Sequence, residues 1–123
     1  MQKIILIGVA GLLGTLGRYG LAELISRRFG ESFPLGTLVV NVLGCFLAGS
    51  LFYLLQRETI SETLRAIVMI GFLGGFTTFS AYGLQTFNLL RDGQTGIALL
   101  NVLASNVCGF LMVWAGYSVA KVI

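Results

Sequence analysis

Long apolar segments alternate with short polar connectors along the chain. The apolar segments cover residues 4–25, 35–55, 66–90 and 96–120. Each is close to the roughly 20 residues that a helix needs to cross the hydrocarbon core of a bilayer. The apolarity is continuous rather than alternating, which favours helices over a transmembrane barrel. The pattern therefore predicts an all-α membrane protein with a single domain, residues 1–123, of four transmembrane helices.

The composition agrees with a chain that lies in lipid. Of its 123 residues, 56% are hydrophobic and 11% are charged, whereas a soluble domain has about 25% charged residues. This composition excludes an ordinary soluble enzyme, a nucleic-acid-binding module and a disordered segment. The chain has no histidine and only two cysteines, so it has almost no ligands for a zinc or haem site. We expect a multi-pass protein of the cell membrane whose partners include the lipid bilayer and exclude nucleic acid.

Positive charges are spread almost evenly over the two rims of the predicted bundle. Four spans place both termini on one side, which then carries four cations, and the other side carries three, or four if Arg18 lies near that rim. The first set is Lys3, Arg57, Arg65 and Lys121, and the second is Arg27, Arg28 and Arg91. An excess of Lys and Arg on one side normally sets orientation, and here it is nearly absent. The charges predict insertion both ways, the alternative being one orientation set by something other than charge.

One copy is too small to enclose a water-filled path, because four helices close-pack around their own side chains. An oligomer is therefore expected. If both orientations occur, two copies reproduce in trans the inverted repeat that larger transporters carry within one chain. The sequence then predicts an antiparallel, dual-topology homodimer.

The third apolar segment contains a sequence that disfavours helix. Residues 74–78 read Gly-Gly-Phe-Thr-Thr, with two adjacent glycines followed by two β-branched threonines. We expect the third helix to be broken here, in mid-membrane, where protein or water must cover the exposed backbone. Freed carbonyls can bind a cation, and the N-terminus of a half-helix favours an anion.

Aromatic and polar side chains stand near this break. Phe79 and Tyr82 are spaced i, i+3, and their electropositive ring edges suit an anion in a dry passage, although such a pair is also common in core packing. Asn41 is a lone amide in the second segment, and Asn101 and Ser105 are spaced by four in the last. These polar groups are consistent with either interhelical packing or a wet path.

Arg18 lies within the first apolar segment. It can extend to a rim, or pair with Glu23 or a carbonyl group. It can instead give an anion vestibule a positive potential.

Three motifs in this order resemble those of the Fluc family of small fluoride channels, also called the CrcB family. They are Gly17-Arg18-Tyr19, then Pro34-Leu35-Gly36-Thr37-Leu38 with Asn41 and Gly44, and then residues 71–80. The third is the most specific of them, and the resemblance covers nearly the whole chain. It implies passive, selective export of fluoride from the cytoplasm through two pathways in an antiparallel homodimer.

The resemblance also implies roles for individual residues. The family's fluoride pathway matches Asn41, Thr78, Phe79, Ser80, Tyr82, Asn101 and Ser105. Its structural sodium ion, at the dimer centre, is held by backbone carbonyls that match Gly74 and Thr77 of both subunits. Two departures are Tyr82, where the family usually has Phe, and Gly109, where members often have Ser.

Other function classes fit the residues less well. A small proton-coupled multidrug exporter also has four helices and dual topology, but it needs a carboxylate within the membrane, and Glu23 near the end of the first segment is the one candidate. A packing scaffold has no need of the Gly-Gly-Phe-Thr-Thr break beside Asn41. An enzyme is not expected, because the chain shows no convincing nucleophile–base pair.

Overall fold

The computed structural model describes residues 1–56 and 60–123. Within them, four helical spans are long and apolar enough to cross a membrane: Gln2–Phe29, Leu35–Leu55, Glu62–Arg91 and Thr95–Val122. This confirms the predicted all-α membrane fold. Arg57, which was counted among the rim cations, lies outside the described residues.

The first two spans and the last are uninterrupted helices. They are α1 (Gln2–Phe29), α2 (Leu35–Leu55) and α6 (Thr95–Val122). Helix α1 ends at Gly30, whose φ of 83° lies in the left-handed region that glycine adopts without strain. Pro34 directly precedes α2, where its missing N–H removes no helical hydrogen bond.

The third span is composite. It consists of α3 (Glu62–Arg65), a π-helical stretch (Ala66–Phe72), α4 (Leu73–Phe76) and α5 (Phe79–Arg91). Between α4 and α5, Thr77 and Thr78 have extended backbones, with ψ values of 156° and 112°. The predicted interruption of the third helix is thus confirmed. The π-helical stretch is a further irregularity that the sequence analysis did not predict.

Glycines bring the helix backbones into close contact in two places. In the α2–α6 seam, Gly49 lies against the carbonyl oxygen of Val113 and Gly116 against that of Phe46, so a Cβ at either position would collide with backbone. In the contact between α1 and the broken span, Gly14 meets Phe72 and Gly75 meets Gly11 in the same way. Small residues at these crossings allow the close backbone packing that associates helices in lipid.

Candidate functional site

A cavity of about 550 Å³ lies between α2, the broken third span and α6. It is lined by Asn41, Gly44, Cys45, Ala48, Met69, Leu73, Gly74, Thr77, Thr78, Phe79, Tyr82, Ser105, Asn106, Gly109 and Phe110. All of these residues are uncharged, and we call the cavity the central groove. It brings together most of the residues that were predicted to form a pathway, but it does not include Ser80, Asn101 or Arg18.

Asn41 is bonded to the break through both ends of its amide. Its Nδ2 donates to the carbonyl oxygen of Thr78 at 2.9 Å, and its Oδ1 accepts from the backbone N–H of Thr78 at 2.8 Å. The bond to Oδ1 replaces the carbonyl oxygen of Gly74, which an unbroken helix would present to the N–H of Thr78. An amide nitrogen carries two hydrogens, and Asn41 uses one of them for Thr78. Asn41 also lines the groove, so its second N–H can donate to an occupant of the groove.

The two threonines complete the break with their hydroxyl groups. Thr77 directly follows α4, and its Oγ1 donates to the carbonyl oxygen of Leu73 at 2.9 Å. Thr78 Oγ1 accepts from the N–H of Ala81 at 3.2 Å and thereby caps the start of α5. Ser80 is exposed beside the groove, with its Oγ 3.4 Å from Thr78 Oγ1.

The carbonyls of Gly74 and Thr77 are among those that the break releases from helical pairing. The amides four residues beyond Gly74 and Thr77 belong to Thr78 and Ala81, which bond to Asn41 Oδ1 and Thr78 Oγ1 instead. Unwound carbonyls of this kind are ligands for alkali cations in membrane proteins. No cluster of three or more His, Cys, Asp or Glu side chains that could hold a metal occurs among the described residues.

Arg18 contacts the break from α1. Its Nε donates to the carbonyl oxygen of Gly75 at 3.0 Å, so the pairing with a carbonyl, one of the alternatives for this residue, is the arrangement present. Glu23 is instead bonded to Arg27 at 2.8 Å, with both side chains substantially exposed. This places the single carboxylate considered for proton coupling in a surface ion pair rather than in the central groove.

The aromatic pair stands on the first turn of α5. The ring centroids of Phe79 and Tyr82 are 5.4 Å apart, and the ring planes are inclined by 57°. Phe79 is 82% exposed in the single chain, although it lies in an apolar membrane span. Both rings line the central groove, so their edges are available to an occupant of that groove.

The predicted fourth-helix residues occupy different layers. Ser105 lines the groove, whereas Asn101 is buried behind it, with 1% of its surface exposed. Asn101 Nδ2 donates to Thr86 Oγ1 at 2.9 Å, and Thr86 Oγ1 donates to the carbonyl oxygen of Tyr82 at 2.8 Å. Ser105 Oγ lies 3.5 Å from Asn101 Oδ1. Asn101 thus joins α6 to α5 instead of facing the groove.

Two of the residues that contact the site without having been predicted as site residues form hydrogen bonds there. They are Thr86 and Asn106, whose Nδ2 lies 3.2 Å from the Tyr82 hydroxyl oxygen. A signal for both existed in the short turn that joins α5 to α6 at Gly93. Antiparallel helices pair residues at similar distances from their turn, and Thr86 lies seven residues before Gly93 while Asn101 lies eight after it.

The sequence is similar to known proteins over its whole length. The family model described as CrcB-like protein, Camphor Resistance (CrcB), matches residues 5–117. A protein of Opitutus terrae named fluoride-specific ion channel FluC is 46% identical over 123 residues, which cover 98% of this chain and 93% of that protein. Relatives of the same name from a Geobacter species and from Geotalea daltonii are 45% and 44% identical, covering 98% and 100% of both chains.

These names describe channels, and none describes an enzyme or a multidrug exporter. The match of the family model spans all four helical spans, including the broken one that forms the wall of the central groove. By the extent of both comparisons, this chain belongs to the CrcB-like family of membrane proteins.

Proposed function

We propose that the chain forms a passive, fluoride-selective ion channel that exports fluoride from the cytoplasm, and that it is not an enzyme. The observation that carries the proposal is an uncharged groove that combines an exposed aromatic pair with polar groups, in a relative of proteins named fluoride-specific ion channels. A channel must bind its ion firmly enough to replace lost water and loosely enough to release it. Ring edges and neutral donors meet this need better than a full charge would.

A second copy in the opposite orientation completes the pathway in this proposal. The single chain leaves the groove open, with Phe79 82% exposed and open space in front of the Cα of Gly74. A facing copy covers both features and excludes lipid from the polar backbone of the break. Since each copy brings one groove, the antiparallel homodimer has two pathways. The nearly even distribution of positive charge between the two rims supports insertion in both orientations.

The broken helices also suit a structural sodium ion at the dimer centre. The carbonyl oxygens of Gly74 and Thr77 have lost their helical amide partners, and oxygen ligands suit a hard cation. These are the residues that would hold the ion, from both copies. A sodium ion bound there would supply fixed positive charge at the break.

Within each pathway, neutral donors substitute for the water that fluoride loses. Asn41 contributes its second amide hydrogen, and Thr78 and Ser80 contribute hydroxyl groups. Ser105 Oγ donates to Asn101 Oδ1 at 3.5 Å, so it contributes its hydroxyl group to an anion only when this long bond opens. The edges of Phe79 and Tyr82 supply positive potential between these donors.

Two residues support the pathway from outside the groove. Arg18, bonded to Gly75, places a positive charge near the break that favours the entry of anions into the vestibule. Asn101 supports the pathway from behind by joining Ser105 to Thr86.

The proposal is tested by reconstituting the purified protein in liposomes that contain either fluoride or chloride. Efflux is followed with ion-selective electrodes after the membrane potential is short-circuited with valinomycin and potassium. We expect rapid release of fluoride and retention of chloride. Equal release of both ions, or retention of fluoride by liposomes that contain the folded protein, would contradict the proposed function.

A further inference from the structure

The environment of the Tyr82 hydroxyl group determines what that group can do. Its nearest polar neighbour is Asn106 on α6, a groove residue whose Nδ2 lies 3.2 Å from the hydroxyl oxygen. The same Nδ2 lies 2.8 Å from the backbone carbonyl oxygen of Val102. A carbonyl oxygen can only accept a hydrogen bond, so the atom that faces it must be the amide nitrogen. The orientation of the Asn106 amide is therefore fixed.

This orientation determines the direction of the bond to Tyr82. The amide nitrogen donates one hydrogen to Val102 and the other to the phenol oxygen, which acts as the acceptor. Asn106 has then used both of its donors and keeps none for an anion. The phenol hydrogen of Tyr82 has no acceptor within residues 1–56 and 60–123, and its ring lines the groove.

The backbone that carries Tyr82 is held to the same helix by a second connection. Thr86 Oγ1 donates to the Tyr82 carbonyl oxygen at 2.8 Å, and the buried Asn101 donates to Thr86 Oγ1 at 2.9 Å. Tyr82 is thus attached to α6 both at its backbone and at its hydroxyl group. Little freedom is left for the ring to turn its hydroxyl away from the groove.

We infer that the Tyr82 O–H is a hydrogen-bond donor to fluoride and a determinant of anion specificity, and that Asn106 is the positioning residue that directs it. The inference rests on the proposed function of the groove as the fluoride pathway. Hydrogen bonds to a charged acceptor are shorter and about twice as strong as those between neutral groups. Fluoride concentrates its charge on a smaller ion than chloride does, so an O–H donates a stronger hydrogen bond to fluoride, which offsets part of fluoride's larger loss of hydration.

The test is a double-mutant cycle in which fluoride binding and fluoride efflux are both measured. The variants are Tyr82→Phe, which removes only the hydroxyl group, Asn106→Leu, which removes the amide at similar volume, and the double variant. Tyr117→Phe is the matched control, since this tyrosine packs against Tyr53 away from the groove. Binding is measured by calorimetric titration of the purified protein with sodium fluoride at constant sodium concentration, and efflux is measured from liposomes at several internal fluoride concentrations.

We expect Tyr82→Phe to raise both the fluoride dissociation constant and the half-saturating fluoride concentration about tenfold, the effect of losing one donor to an anion. Asn106→Leu should raise both quantities by about threefold in the wild-type protein and leave them unchanged in the Tyr82→Phe background. This dependence separates positioning from a general structural role, which would act in either background. The control should match the wild-type protein.

Three results would overturn the inference. The first is an unchanged half-saturating fluoride concentration in Tyr82→Phe. The second is faster efflux from Tyr82→Phe at unchanged affinity, which would make the hydroxyl group an obstruction. The third is an equal effect of Asn106→Leu in the wild-type and Tyr82→Phe backgrounds. Failure of the proposed function looks different. In that case the wild-type protein neither binds nor releases fluoride, and both proposals fall together.

Discussion

The α2–α6 seam and the break in the third span satisfy the hydrogen-bonding groups of the backbone in two different ways. In the seam, both helices keep their own hydrogen bonds, and Gly49 and Gly116 let the two backbones touch. At the break, the backbone of Thr77 and Thr78 leaves helical geometry, and the Asn41 side chain of α2 bonds to the N–H and the carbonyl of Thr78. The first region is built for packing and the second for exposing polar groups at a chosen place. The central groove lies where the two regions meet.

We expect the seam to tolerate no added volume, because its backbones are already in contact. Gly49→Ala places a Cβ 2.9 Å from the backbone nitrogen of Tyr117 and closer still to the oxygen of Val113. Because backbone atoms cannot move aside cheaply, we expect the free energy of unfolding to fall by about 3 kcal/mol. Gly8→Ala is the control, because its Cβ would meet no atom within 4 Å. Thermal unfolding in detergent, followed by the fluorescence of Trp114, measures both, and equal stability of the two variants would refute close packing at Gly49.

At the break, the largest effect is expected from the side chain that holds it. Asn41→Leu removes both hydrogen bonds to Thr78 and leaves a backbone N–H and a carbonyl without these partners. We expect a loss of about 2 kcal/mol in the free energy of unfolding, and fluoride efflux at least tenfold slower, as about 1.4 kcal/mol on a barrier would produce. If Asn41→Leu keeps the free energy of unfolding and the fluoride efflux of the wild-type protein, Asn41 does not hold the break.

A polar residue in the seam sharpens the contrast. Ser50 Oγ shares its hydrogen between the carbonyl oxygens of Phe46 and Gly116, both at 3.0 Å. We expect Ser50→Ala to lower the free energy of unfolding by about 1 kcal/mol, the contribution of an ordinary hydrogen bond, and to leave fluoride efflux unchanged. Slowed efflux from this variant would mean that the seam affects the pathway and is not a packing contact alone.

The break was predictable from sequence because its cause is local. Adjacent glycines followed by β-branched threonines disfavour helix, but Gly74 and Gly75 lie within α4 and the extended residues are Thr77 and Thr78. The π-helical stretch Ala66–Phe72 carries no comparable signal. Its apolar residues are compatible with ordinary helix, so the wider geometry reflects contacts with the rest of the fold.

The site was predictable only where one helix determines it. The spacing of Phe79 and Tyr82 places both rings on one face of α5, as the structure has them. The contacts of Asn106 with Tyr82 and of Asn101 with Thr86 depend on the register between two helices, which periodicity within a single helix does not contain. Sequence spacing grouped Asn101 with Ser105, but the structure places one behind the groove and the other on its wall.

The central claim is that fluoride crosses the membrane along the aromatic pair of the central groove. The most direct measurement compares fluoride efflux from liposomes that contain Phe79→Ile with efflux from those that contain Phe52→Ile. Phe52 is also exposed in an apolar span, but it lies outside the groove. We predict that Phe79→Ile abolishes efflux while its size-exclusion profile stays that of the wild-type protein, and that Phe52→Ile conducts like the wild-type protein. Undiminished efflux through Phe79→Ile would contradict the claim.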